Sequence, residues 1–230
     1  MTSSTARHRT VLITGTSRGL GAELARIYAD DGWRVIACQR GAVPAEGVVD
    51  RLPLDVADPA SIDALGQALQ GVAIDVLINN AGVRGDTGGL SSLETEDFLE
   101  VMRVNALAPL LLTRALLANL RAGERRVVAN ISSRAGSLAE GTLDDDDGDY
   151  AYRCSKAALN MATAKLAQDL KGDGISVLSL HPGWVQTDMG GSDAVVSVAS
   201  SAAGLKAIID RADLADSGSF RAFDGRQVSW

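Results

Sequence analysis

Cysteine, histidine and positive charge are all scarce in this chain. Its two cysteines, Cys38 and Cys154, allow neither a disulfide framework nor a metal-binding spacing. Both read as small buried residues. With only His8 and His181, a histidine-rich metal site is not expected. Lysine and arginine number 22 against 29 acids, a formal net charge of -7, which argues against a nucleic-acid backbone as partner. No apolar run reaches the roughly 20 residues that span a bilayer. The stretch Met1 to Arg9 is polar and holds no apolar signal region. A cytoplasmic protein with no membrane association is the resulting expectation.

Apolar residues make up 46% of the 230 positions, enough for a sizeable core in one domain covering 1–230, with Met1 to Arg9 as a flexible tail. The organising stretch is Thr14-Gly15-Thr16-Ser17-Arg18-Gly19-Leu20-Gly21. An apolar strand leads into it and a helical pattern, Ala22 to Asp30, leaves it. A strand that turns through glycines into a helix presents unpaired N–H groups and a positive dipole end, which suits a pyrophosphate. Gly15 suits the tight turn, Gly19 the approach of phosphates to the backbone, and Gly21 close packing of helix on strand. The spacing is G-x-x-x-G-x-G, not the commoner G-x-G-x-x-G.

Strands are expected at Thr10 to Thr14, Trp33 to Cys38, Val48 to Leu54, Ile74 to Ile78, Val127 to Ile131 and Ile175 to Leu180, with a short one after Phe220. Between them lie helical patterns. Asp58 and Pro59 read as N-cap and first helical residue of a helix reaching about Gln70. A long pattern, Thr95 to Leu120, contains Pro109, which clashes with the carbonyl four residues back, that of Asn105. The helix should bend there and leave that carbonyl free. Tyr150 to Leu170 is helical, with Ala157, Ala158, Met161, Ala162 and Leu166 as its apolar face. Ser197 to Ile209 is a further helix. Strand–helix alternation predicts an α/β fold, a Rossmann-type doubly wound parallel sheet in a single domain. Polar clusters fall at the carboxyl ends of the strands, where such sheets bind ligands: Gly15 to Gly21, Asp55, Asn79 to Gly82, Ser132-Ser133 and Pro182-Gly183.

Tyr152 and Lys156 stand four apart on one helix face. A lysine cation beside a phenol lowers its ordinary pKa of about 10 and makes it a usable general acid or base. Spacing alone does not decide between that and a surface Tyr–Lys contact.

Taken together, Thr14 to Gly21, Asn79 to Gly82, Ser133, Tyr152 with Lys156, and Pro182-Gly183 resemble the short-chain dehydrogenase/reductase family, in that family's order and over nearly the whole chain. The stretches Tyr150 to Asn160 and His181 to Gly191, with Asp224-Gly225-Arg226 before Trp230, are similar to its C-factor and Sniffer-type carbonyl reductase branch. The resemblance implies a catalytic set. Tyr152 donates the proton to a carbonyl, and Lys156 lowers the phenol pKa and holds the nicotinamide ribose. Ser133 hydrogen-bonds the carbonyl oxygen, and Asn105 serves a proton relay. Ser132 is the poorer choice, because adjacent strand residues face opposite ways.

The resemblance also implies a dinucleotide site. Gly15, Ser17, Arg18, Gly19, Leu20 and Gly21 line the phosphates. Asp55 and Val56 meet the adenine, and Asn79, Ala81 and Gly82 line the adenosine side. Pro182, Gly183, Val185 and Thr187 contact the nicotinamide. No acid ends the second strand; Gln39 and Arg40 follow it. Arg18 and Arg40 therefore favour the 2′-phosphate of NADP(H) over NAD(H). The implied activity is NADP(H)-dependent reduction of an aldehyde, ketone or quinone, or the reverse. The alternative is a dinucleotide-binding signalling protein of the C-factor kind with little turnover. The partner is a small molecule, and the chain is a monomer or homo-oligomer.

Two further features stay open. The segment between Ser133 and Tyr152 is longer than the family's commonest. Within it, Glu140 to Asp149, with four consecutive acids from Asp144 to Asp147, reads as a mobile flap by the substrate opening. His181 reads as a packed or hydrogen-bonded histidine, and Trp184 either lines the pocket or covers the core edge.

Overall fold

The computed structural model describes residues 8–41, 49–141 and 148–230. The expectations for Met1 to Arg7, Val48 and Asp144 to Asp147 concern residues outside these. β1 (Thr10–Thr14) is buried along its whole length, as an apolar strand covered on both faces must be. It lies between β2 (Arg34–Gln39) and β4 (Val76–Asn79), parallel to both. With β3 (Val49–Pro53), β5 (Val127–Ile131), β6 (Ser176–His181) and β7 (Phe220–Ala222), they form a seven-stranded sheet in the order β3-β2-β1-β4-β5-β6-β7. Every neighbouring pair is parallel. The chain winds outward in both directions from β1 and β4, so a crevice opens beyond their carboxyl ends.

Strand alternation divides the core in two. Val11 and Ile13 face the layer of α1 (Gly19–Asp30) and α7 (Val198–Arg211), packing with Leu24, Tyr28, Leu205 and Ile209. Leu12, Ile36 and Leu77 face the other layer, packing with Ile62 and Leu65 of α2 (Pro59–Ala68) and Leu112 of α4 (Ala108–Ala115). Each such fully buried side chain contributes roughly 1.5–3 kcal/mol. The predicted punctuation is present. Gly32 closes α1 at φ +77, and Asp58 caps α2 by accepting from the Ala60 N–H at 2.9 Å, with Pro59 first in the helix.

The long central pattern is not one bent helix. It comprises α3 (Thr95–Met102), a π-helical segment Arg103–Leu107, α4, and α5 (Leu117–Ala122). The wide turn stands just ahead of Pro109, whose missing N–H and bulky ring disfavour α geometry over the preceding residues.

α6 (Tyr150–Asp169) corrects two expectations. Its buried positions are Ala151, Ser155, Lys156, Leu159, Asn160, Thr163 and Ala167, a largely polar set, while Met161 is 66% exposed. The sheet beneath it carries Asn79, Asn130, Ser132 and Ser179. Asn160 Oδ1 accepts from Ser132 and Ser179 at 2.6 and 2.7 Å, and Asn130 Nδ2 donates to Thr163 at 2.9 Å. These polar groups must meet each other inside, which turns the Ala158–Met161–Ala162 stripe outward. Cys154, on that outer side, is exposed; Cys38 is buried as expected.

Candidate active site

The glycine loop is built as the spacing implied. Gly15 takes φ +71 and Gly19 φ +57. A Cβ on Gly21 would lie 2.2 Å from the Gly15 carbonyl oxygen, so this position tolerates no side chain. α1 starts at Arg18 with no side-chain cap and no acid in its first turn, leaving its N–H groups directed at the crevice. Asn80, absent from the sequence-derived set, pins the loop: its Nδ2 donates to the Thr14 and Gly15 carbonyls at 2.8 and 3.2 Å. Thr14 Oγ1 in turn accepts from the Asn80 and Ala81 N–H groups, both at 3.0 Å. The sequence signal for Asn80 was its place in the polar stretch Asn79 to Gly82 at a strand's carboxyl end.

Other predicted cofactor residues surround this crevice. Ser17, Arg18, Arg40 and Asp55 are exposed at strand ends, and Leu20 and Val56 are half-buried beside them. Asp55 Oδ1 accepts from the Ala57 N–H at 3.0 Å. The segment after β6 closes the opposite side. A Cβ on Gly19 would meet Thr187 Cγ2 at 3.3 Å, and Arg18 Nε lies 3.1 Å from Asp188 Oδ2. This ion pair is exposed, so it is weak and exchangeable. Gly183 takes φ +84 with Phe223 packed against it, Val185 is buried in a bridge to Val196, and the Pro182 carbonyl accepts from Ser201 Oγ at 2.7 Å. Asn79 is buried, with Nδ2 donating to Asn130 Oδ1 at 2.8 Å, while its Oδ1 has no partner among the described residues. The uncapped helix start, the glycine cradle and the exposed arginines fit a dinucleotide.

Beside the crevice stand the reacting groups. Ser133 follows β5 and starts a one-turn 3-10 segment by accepting from the Ala135 N–H at 3.1 Å. A Cβ on Gly136 would lie 2.4 Å from the Lys156 carbonyl carbon, so this turn presses directly on α6. The Ser133 hydroxyl thereby comes up beside the Tyr152 phenol and helps hold its pKa down. Ser132 instead faces Asn160, as strand alternation required. Lys156 Nζ stands 5.6 Å from the Tyr152 ring centre and donates to the Ile131 carbonyl at 2.9 Å. Asn105, in the π segment, accepts from the Val83 N–H at 2.9 Å and donates to the Val83 carbonyl at 2.8 Å and to Ser155 Oγ at 2.9 Å. Ser155 Oγ donates to the Tyr152 carbonyl at 2.7 Å. A Cβ on Gly82 would sit 3.2 Å from Asn105 Oδ1 and 3.8 Å from Lys156 Nζ, which shows how closely these groups converge.

The electrostatics differ from the sequence expectation. Burial raises the Tyr152 phenol pKa; the Ser133 hydroxyl and the Arg84 guanidinium pull it down, and Asp149 pushes it up. The sequence assigned the lowering to Lys156. Burial pushes Lys156 itself down to about 8. His181 is held neutral, its pKa pushed down to about 4 chiefly by burial, and its Nδ1 accepts from the Arg134 N–H at 3.3 Å. It is a structural histidine, as expected. Trp184 is half exposed and donates to the Gly190 carbonyl at 2.8 Å. At its described ends the acidic segment is tied to the rest of the fold. Glu140 accepts from the Ser229 N–H at 2.7 Å and pairs with Arg226 at 3.0 Å, and Asp149 is buried against Arg84.

Residues 9–195 match the family model for short chain dehydrogenases. The chain belongs to that family. It is accordingly an oxidoreductase. Among curated relatives, C-signal of Myxococcus xanthus is 47% identical over 157 residues, covering 68% of this chain and 93% of that protein. Among solved structures, the NADPH-bound carbonyl reductase from chicken fatty liver superposes with a TM-score of 0.88 at 33% identity, covering 97% of this chain and 100% of that one. The carbonyl reductase Sniffer of D. melanogaster gives 0.89 at 29% identity, with the same coverages. These two structures therefore share the fold of this chain. Among the described residues, no helix is long and apolar enough to cross a membrane.

Proposed function

We propose that this short chain dehydrogenase is an NADP(H)-dependent carbonyl reductase acting on an aldehyde, ketone or quinone, or on the corresponding alcohol in reverse. The observation that carries this reading is the convergence of the Ser133 hydroxyl, the Tyr152 phenol, Lys156 and Asn105 at the mouth of the glycine-loop crevice. A carbonyl oxygen placed between the Ser133 and Tyr152 hydroxyls would accept from both. Ser133 would orient it and Tyr152 would give it a proton as charge develops. Lys156 would hold the ribose and stabilise the phenolate left behind, and Asn105 would fix the Val83 and Ser155 shell around the proton path. Gly15, Ser17, Arg18, Gly19, Leu20 and Gly21 would hold the phosphates. Arg40 would join Arg18 at the 2′-phosphate, Asp55 and Val56 would meet the adenine, and Asn79, Ala81 and Gly82 would flank the adenosine. Pro182, Gly183, Val185 and Thr187 would hold the nicotinamide. When bound, the nicotinamide supplies or accepts the hydride.

Tyr152→Phe tests the reading. It keeps the ring and removes the proton donor, so turnover should fall by about 100-fold or more while cofactor affinity changes little. Near-normal reduction by the variant would refute the role. The 47% identity to C-signal favours a second reading, a dinucleotide-binding signalling protein with little turnover. Cofactor oxidation with a panel of aldehydes, ketones and quinones separates the two.

A further inference from the structure

Two ties close a frame around Tyr152. One runs from Val83 through the Asn105 side chain to Ser155 and on to the Tyr152 carbonyl. The other starts one residue on. Arg84 Nε donates to both oxygens of Asp149, at 3.0 and 3.1 Å, and its Nη2 donates to Oδ2 at 2.5 Å. Asp149 is the residue from which α6 departs, three positions ahead of Tyr152.

Asp149 is unusual in three respects. It takes φ +53, and among the described residues Arg126 is the one other non-glycine with positive φ. Such a conformation is disfavoured for an L-residue, though least so for Asp and Asn. Its carboxylate is withdrawn from water, the residue being 8% exposed. It occupies a helix N-cap position, where Asp normally caps, yet its side chain makes no cap bond. A residue serving only the helix would cap it. This one is turned to the Arg84 fork instead.

We infer that Arg84 and Asp149 are a positioning pair: the fork fastens the first turn of α6 to the loop after β4 and thereby sets where the Tyr152 hydroxyl stands against Ser133. The inference rests on the reading of Tyr152 as proton donor. Misplacement of a reacting group by about 1 Å costs up to about 100-fold in rate, so a tie at this point controls turnover. The groups facing the Tyr152 phenol are Ser133 from the turn after β5, Arg84 from the loop after β4, Asp149 at the start of α6 and Lys156 from α6 itself. Arg84 and Asp149 act on it with opposite sign. Removing either partner takes away one of these two opposed influences on the phenol.

Asp149→Asn retains shape and suits the left-handed backbone, but loses the charge. Arg84→Gln removes the other half, and Arg84→Lys keeps charge without the fork. Two measurements apply: kcat and KM against pH with the best carbonyl of the panel, and ultraviolet difference titration of the phenol, with Tyr152→Phe as blank, which needs no substrate. Each variant should lose about tenfold or more in kcat, with cofactor KM little changed. The phenol pKa and the alkaline limb of the kcat profile should move down in Asp149→Asn and up in Arg84→Gln. Arg84→Lys should be slow with an unshifted limb, and the double variant slow with its limb restored. Wild-type kcat and phenol pKa in Asp149→Asn and Arg84→Gln, even with a lowered Tm, would overturn the inference. If Asp149→Asn does not fold, Arg84→Lys decides by its kcat. An active Tyr152→Phe would instead remove the proton-donor reading itself. An inactive Tyr152→Phe beside a normal Asp149→Asn removes only the positioning pair.

Discussion

Lys156 is a buried cation, and replacing it with methionine checks the electrostatics of the site without any substrate. Burial pushes its pKa from the ordinary 10.5 down to about 8. A depression of that size corresponds to about 3 kcal/mol disfavouring the charged form in the folded protein. Below pH 8 both states carry the charge and the folded protein bears the whole penalty. Between about 8 and 10.5 the unfolded chain binds the extra proton, so stability rises with pH there. Lys156→Met abolishes this dependence. It also leaves the Ile131 carbonyl without the 2.9 Å ammonium bond, a loss of about 1–3 kcal/mol. At pH 7 the two effects nearly cancel, and the variant should be as stable as the wild type or up to about 2 kcal/mol more so. By pH 10.5 the wild type should have gained about 3 kcal/mol on the variant, with a slope of at most about 1.4 kcal/mol per pH unit. Urea unfolding of both proteins across this range, with no added cofactor, measures the difference directly, and other titrations shared by the two cancel. A stability difference that stays flat with pH would refute the buried-charge description.

Two further outcomes are expected. Arg40→Asp should weaken NADPH binding by about 1.5–3 kcal/mol, on the order of tenfold or more, and spare NADH; equal kcat/KM for the two cofactors in the wild type would remove the basis of the assignment. His181 has a depressed pKa of about 4. The folded state therefore loses stability as pH falls from about 6.5 to about 4, by up to about 3 kcal/mol, because the unfolded chain takes up the proton first. His181→Asn can still accept from the Arg134 N–H, so the variant should lose less Tm than the wild type between pH 7 and 4.5; equal acid sensitivity in thermal melts would refute this.

By itself the sequence determined the elements that local chemistry dictates. Gly15 had to make a tight turn, Asp58 and Pro59 had to start a helix, and strand alternation had to separate Ser133 from Ser132; all three hold in the structure. Pro109 located the irregular turn because its missing N–H and its ring disfavour α geometry over the residues just before it, while it fits the first turn of the helix that follows. Strand–helix alternation brought the fold, and resemblance across Tyr152, Lys156 and the glycine loop brought the reaction class. Tertiary structure decided what depends on a partner distant in sequence. The inward face of α6 is polar because the strands beneath it carry Asn130, Ser132 and Ser179, which a helical periodicity cannot see. Asn80 earns its place only when the Gly15 carbonyl lies beside it, across 65 residues of chain. Arg84 and Asp149, also 65 residues apart, read in sequence as one loop arginine and one acid in an acidic stretch. The burial of Asp149 and its approach to a guanidinium exist only after β4 and α6 pack, and it is that packing which places both charges against the Tyr152 phenol.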